Sequence, residues 1–118
     1  MSIEHIESGP RMSQAVGFGS LVFLAGQVAD DLEGDVESQT RQVLAKIERL
    51  LALANSDKSR ILSATIWLTN ANAFSAFNRI WEDWIPTGSA PARATVVAQL
   101  VAPGFLIEIQ LIASRPQE

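Results

Sequence analysis

Residues Val36 to Ala54 constrain this chain more than any other segment. Val36, Val43, Ile47, Leu50 and Ala54, with Leu44 and Leu51 beside them, recur at steps of three, four and seven. That spacing lines them along one stripe of a long amphipathic helix, whose apolar side has to be covered by a second layer. Asp35 predicts the start, because its carboxylate can accept the orphan amide hydrogens of a first turn. Asn55 follows the stripe at a position where a left-handed residue often ends a helix.

The covering layer is legible as short apolar runs. Leu21 to Val28 is nearly all apolar and brief, and reads as a buried strand, with Ala15 to Phe18 able to pair with it as a hairpin across Gly19 and Ser20. Ile3 to Glu7 alternates apolar and polar residues, as a short edge strand would. Arg60 to Thr69 has the β-branched and aromatic content of a further strand. Asn70 or Asn72 can cap a second helix with a stripe of Phe74, Phe77, Trp81 and Trp84, stopped by Pro86 and Gly88. Two strands close the chain, Ala94 to Val101 and Phe105 to Ala113, joined by Ala102-Pro103-Gly104, a connection suited to an antiparallel return. The order strand, strand, helix, strand, helix, strand, strand predicts an α+β domain with both helices on one face of a mixed sheet.

Composition narrows the function. With 118 residues, 47% of them apolar, the chain has room for a single domain spanning residues 1–118. A formal net charge of −4 argues against a surface that tracks nucleic-acid phosphates. The absence of cysteine excludes thiolate zinc sites and a cysteine nucleophile, and His5 alone leaves little scope for a histidine metal site or triad. A thiolate or histidine metal site is therefore not expected. The N-terminus lacks a basic segment followed by an apolar core, and no apolar run approaches the roughly 18 residues of a membrane span, so a soluble, cytoplasmic protein is expected.

Two residues stand out against this apolar background. Arg93 opens a strand after Pro91, and Glu108 lies within Leu106-Ile107-Glu108-Ile109, fifteen residues on. Strand alternation puts Arg93, Thr95, Val97 and Gln99 on one face, and Leu106, Glu108, Gln110 and Ile112 on one face of the next strand. If the pair forms a hairpin with Leu100 opposite Phe105, these mixed faces coincide, and Thr95 and Val97 lie near Gln110 and Glu108; a slip of one residue separates them. Arginine offers a planar fork of donors that matches a carboxylate, although a solvated strand-start arginine is the plainer reading. Glu108 can orient or deprotonate a water, or be an outward carboxylate or a partner of Arg60 or Arg115. Thr95 can offer a hydroxyl, or be present for its β-branched shape. His5 reads as a surface residue, Trp81 and Trp84 as core or subunit-interface residues, and Gly17 and Gly19 as turn residues.

The chain also resembles the Rid family, the reactive intermediate deaminases or YjgF-like proteins, from about Gly9 to Ala113. The matching pieces are Gly9-Pro10 with Ser13-Gln14-Ala15-Val16, Leu24-Ala25-Gly26-Gln27-Val28, Gln39, Asn78, Pro91-Ala92-Arg93, and Ile107-Glu108-Ile109 with Ile112-Ala113. The resemblance implies a chorismate-mutase-like α+β fold, a homotrimer with clefts between subunits, and hydrolysis of 2-imino or 2-enamino acids to 2-oxo acids and ammonia without a cofactor. It assigns Arg93 to the substrate carboxylate, Glu108 to the attacking water and the Thr95 backbone to the imine end, with Ala25 and Gly26 lining the cleft. A trimeric binding or regulatory protein for small carboxylates, and a divergent hydrolase using the same cleft, are the alternatives. Two departures bear on the pocket. Arg11-Met12 stands where enzymatic members usually have a tyrosine, making Arg11 and Met12 candidate substrate contacts, and Thr95 replaces the more usual cysteine or serine.

Overall fold

The computed structural model describes residues 2–116. Eight main elements follow one another: β1 (Ile3–Ser8), β2 (Ser13–Phe18), β3 (Leu21–Gln27), α1 (Val36–Leu53), β4 (Ile61–Leu68), α2 (Phe74–Trp84), β5 (Ala92–Val97) and β6 (Ile107–Ser114). Local chemistry sets the ends of α1. The Asp35 carboxylate accepts a hydrogen bond from the Ser38 N–H at 2.9 Å, and Asn55 takes the left-handed conformation with φ of 64° just beyond the helix. Asn70 caps a short 3-10 turn, Ala71–Ala73, that leads into α2 instead of capping that helix itself.

The strands form one mixed sheet in the order β1-β2-β3-β6-β4-β5, parallel only between β4 and β5. Alternation decides which face is dry. Ile107, Ile109, Leu111 and Ala113 of β6 and Ala64, Ile66 and Leu68 of β4 are buried on one face, where they meet Val43, Leu44, Ile47, Leu50 and Leu51 of α1 and Phe77 and Trp81 of α2. Both helices lie on this face, as anticipated.

The expected β5–β6 hairpin does not form. The chain does turn back antiparallel, but β4 lies between the two strands: Ala64 pairs with Arg93 on one side and with Leu111 on the other. The two strands also end short of their expected bounds, at Val97 and from Ile107. Burial accounts for the arrangement. β6 has four fully apolar inward positions and takes a central place, whereas β5, with Arg93 and Thr95 inward, sits at the edge where polar groups reach solvent. The buried Gln39 side chain fixes the crossing, donating to the Gly104 carbonyl at 2.9 Å and accepting from the Leu106 N–H at 2.9 Å. Ala98 N–H and Thr69 N–H then bond to Leu68 and Leu106, so residues 98–106 straddle the end of β4.

Gly17 is not a turn residue. It lies inside β2, where a side chain would collide with the Arg115 guanidinium; Gly19, with φ of 60°, makes the turn.

Candidate functional site

Register places Arg93 and Glu108 on opposite faces of the sheet. Arg93 shares its side with Ala64, and Thr95 with Ile66, which is the helix-covered face. Glu108 pairs with Trp67 and shares the uncovered face with it. The expected meeting of the two mixed faces is therefore overturned, because it depended on β5 and β6 being neighbours.

On the covered face, the Arg93 guanidinium carbon lies 5.3 Å from the centre of the Phe77 ring, 5.7 Å from Trp81 and 5.8 Å from Phe74. Spacing along α2 explains the cluster, since residues 74, 77 and 81 fall on one helical stripe. The rings attract the cation and restrict it. Among the described residues Arg93 has no carboxylate partner, so its fork of donors remains available. Beside it opens a pocket of about 370 Å³ lined by Leu68, Ala71, Phe74, Arg93, Thr95, Val96 and Val97. The Thr95 hydroxyl and the Asn78 side-chain carbonyl, the latter one turn after Phe74, are buried without hydrogen-bond partners. Such atoms are uncommon in a finished interior and are expected where a ligand or water completes the bonding.

On the uncovered face, the Glu108 carboxylate lies over Gly26. A Cβ built on Gly26 would come within 1.9 Å of Glu108 Oε2, so a residue with no side chain is what lets the carboxylate occupy that position. Glu108 pairs with neither Arg60 nor Arg115, whose acidic partners are Asp57 and Glu4. Gly26 and Glu108 are thus brought together, with Ala25 adjacent in β3. Arg11 and Met12 are exposed in the turn between β1 and β2, closed by a Gly9 N–H to Met12 carbonyl bond of 2.8 Å. Three strands separate β2 from β5, which at about 4.8 Å per strand keeps that turn far from Arg93 of the same chain.

Sequence reasoning missed the aromatic support of Arg93. The stripe on α2 was readable as core, and Phe77 and Trp81 are core, but which strand they would face depended on the βαβ pairing of β4 with β5. Asn78 was visible only as part of the family resemblance.

A six-stranded mixed sheet with two helices on one face defines a YjgF-like α+β domain, and the comparisons agree. The family model described as Endoribonuclease L-PSP matches residues 3–115. The RutC family protein YoaB of Escherichia coli (strain K12) is 38% identical over 114 residues, covering 97% of this chain and 99% of that protein. Among solved structures, a member of the YjgF protein family from Neisseria meningitidis superposes with a TM-score of 0.94 at 38% identity, covering 100% of this chain and 98% of that one. YyfA from Yersinia pestis, of the conserved Rid protein family, gives 0.89 at 34% identity, covering 96% of this chain and 99% of that one. This chain belongs to the YjgF/RutC family.

Proposed function

We propose that the protein hydrolyses small 2-imino or 2-enamino acids to 2-oxo acids and ammonia. The observation that carries the reading is Arg93: a permanent cation, braced on three aromatic rings and without a carboxylate partner among the described residues, on the wall of a pocket. That is the arrangement a bidentate carboxylate anchor needs.

Placement of Glu108 on the other face favours a site completed by a second copy. The uncovered face carries Phe18, Leu21, Phe23 and Val96, all exposed, with no helix over them. An apolar surface of this kind is characteristic of association, and the family resemblance points to a homotrimer. In such an assembly the substrate carboxylate binds Arg93 of one subunit, and Glu108, held over Gly26 of its neighbour, faces the imine carbon. Water attacks that carbon and forms a C–O bond as the C=N π pair moves to nitrogen, while Glu108 accepts the water proton and delivers it to that nitrogen; the carbinolamine hydroxyl then gives its proton through Glu108 to the amine, C=O forms as the C–N bond breaks, and ammonia leaves a 2-oxo acid. The Thr95 hydroxyl, buried and unpartnered, is available to the developing polar centre.

The family description names an endoribonuclease, but a net charge of −4 and a single histidine offer little for binding phosphates or for proton transfer at neutral pH. The test is to generate a short-lived imino acid with an amino-acid oxidase and follow its loss against semicarbazide trapping. Acceleration by the protein, lost in Arg93→Ala and Glu108→Gln, is expected. No acceleration for any of several side chains would refute deamination. In that case a 2-oxo acid that raises thermal stability without being consumed would identify a binding protein instead.

A further inference from the structure

Strand β3 breaks its own alternation. Leu24 and Gln27, three residues apart, are both buried on the covered face, opposite Leu111 and Ile109 of β6, and the register shifts by one residue between them. Strict alternation allows this only if the strand absorbs an extra residue, as a β-bulge at Ala25 and Gly26. Carried on without the bulge, the Leu24–Leu111 register would set Ala25 opposite Gln110, Gly26 opposite Ile109 and Gln27 opposite Glu108. The bulge therefore decides what lies beneath the Glu108 carboxylate: the bare Gly26 in place of a glutamine side chain. Something has to hold it. The ladder between β2 and β3 runs only from Phe18–Leu21 to Ala15–Leu24, so Ala25 lies beyond it. The Gln27 side chain, 4% exposed, turns back and donates from Nε2 to the Ala25 carbonyl at 3.0 Å and to Gln14 Oε1 of β2, also at 3.0 Å.

We propose that Gln27 is a positioning residue for Glu108: its buried amide clamps the bulge in β3 and so keeps Gly26 under the carboxylate. This rests on the reading of Glu108 as the water-handling group. Gln27 itself faces the covered side of the sheet, so it acts through the backbone of Ala25 and Gly26 and not on the substrate. Its amide nitrogen has two hydrogens, and the Ala25 and Gln14 oxygens take both. A side chain without those donors leaves the Ala25 carbonyl unclamped and frees the strand to relax toward the register in which residue 27 faces Glu108.

Gln27→Met tests the clamp, since it keeps length and bulk but removes both donated hydrogens. In the full chain it should lower kcat for imine hydrolysis about 10- to 100-fold, as a displaced carboxylate would. The affinity for 2-oxobutanoate, measured by calorimetric titration, should stay within about twofold, because Arg93 lies on another strand and the other face. Backbone hydrogen exchange at Gly26 and Gln27 should quicken about tenfold or more, and the carboxyl carbon resonance of Glu108, assigned with Glu108→Gln, should move. Gln14→Glu, which retains the acceptor, should leave kcat within about twofold of wild type, whereas Gln14→Leu should lower it about threefold. That second pair decides the matter if Gln27→Met does not fold. Unmoved exchange and an unmoved Glu108 resonance in Gln27→Met would overturn the clamp. Faster exchange with kcat intact would overturn the positioning role, and equal losses in Gln14→Glu and Gln14→Leu would overturn the hydrogen-bond assignment. Absence of imine turnover in wild type, with exchange and resonance moving as expected in Gln27→Met, would reject deamination alone.

Discussion

The two faces of the sheet are built from the same strands and do opposite things. On the covered face, Ile107, Ile109, Leu111, Ile66 and Leu68 are closed off by two helices. On the uncovered face, the intervening residues Phe23, Thr65, Trp67, Glu108 and Gln110 have no layer of the same chain above them. The first face makes the chain fold, and the second is available for association. Arg93 and Glu108 fall on either side of that division, so under the proposed function the two halves of the site would be joined by another copy.

The largest expected contrast is energetic. Ile109→Ala on the covered face opens a cavity beneath α1 and should lower unfolding free energy by about 2–5 kcal/mol in chemical denaturation. Phe23→Ala, on the uncovered face and 40% exposed, should change monomer stability far less at a protein concentration low enough to dissociate any assembly. Equal losses would erase the distinction between the faces. Gln39→Leu sharpens it, because the substitution strands the Gly104 carbonyl and the Leu106 N–H and should remove about 2–4 kcal/mol.

Assembly provides the next contrast. Phe23→Asp puts a charge into the apolar part of the uncovered face, beside Ile112 and Ser63, and should shift the native mass toward the monomer. Deamination should fall with the assembled fraction, since each chain alone keeps Arg93 and Glu108 on different sides. A fully active monomer would show that the two residues do not need to meet.

Most elements of this architecture were legible because each has a local cause. Asp35, Asn55 and the stripe from Val36 mark α1; the alternation of Ile107, Ile109 and Leu111 marks the inward side of β6. Strand neighbours were not legible, because the order of strands depends on where apolar inward positions are most numerous across the whole sheet. The tight Ala102-Pro103-Gly104 turn suggested a hairpin, but residues 98–106 form a longer crossing held by Gln39, sixty-seven residues before Leu106. Arg93 and Glu108 were identifiable by type and alternation marked their face-mates, but their faces were expected to coincide, and the insertion of β4 puts them on opposite sides, with Arg93 under the helices. Gly26 against Glu108 and Phe74 against Arg93 are contacts between distant segments that no local pattern encodes.

Gly26→Ala tests the uncovered half of the site with little disturbance of the fold. The atom displaced is the end of a flexible glutamate, and the glycine has no positive φ to lose, so stability should stay within about 1 kcal/mol. The carboxylate, however, has to leave the position it now holds. A displacement of this size should reduce imine hydrolysis by about 100-fold, while binding of a 2-oxo acid at Arg93 weakens much less. If hydrolysis survives intact, Glu108 over Gly26 is not the water-handling geometry.

The smallest effect concerns how the edge of the sheet is tied to the covered side. Glu7, at the end of β1 with φ of 51°, forms an ion pair with Arg49 of α1. The hydrogen bond from Arg49 is the main cause that holds the Glu7 carboxyl below its ordinary value of 4.5; desolvation opposes it, and the Arg49 charge acts in the same direction as the hydrogen bond. Because the folded value lies below the unfolded one, the contribution of the pair is fully present above about pH 4.5 and is lost as pH falls through the folded value. Asp57 is lowered as well, through hydrogen bonds from Ser59, so wild type alone mixes the two carboxyls. The difference in stability between wild type and Arg49→Gln isolates Glu7: it should be constant from pH 7 to about pH 5 and narrow below it. A difference that instead widened on acidification would mean that the pair does not fasten β1 to α1, and that β1 is held by its pairing with β2 and the packing of Ile6 against the core.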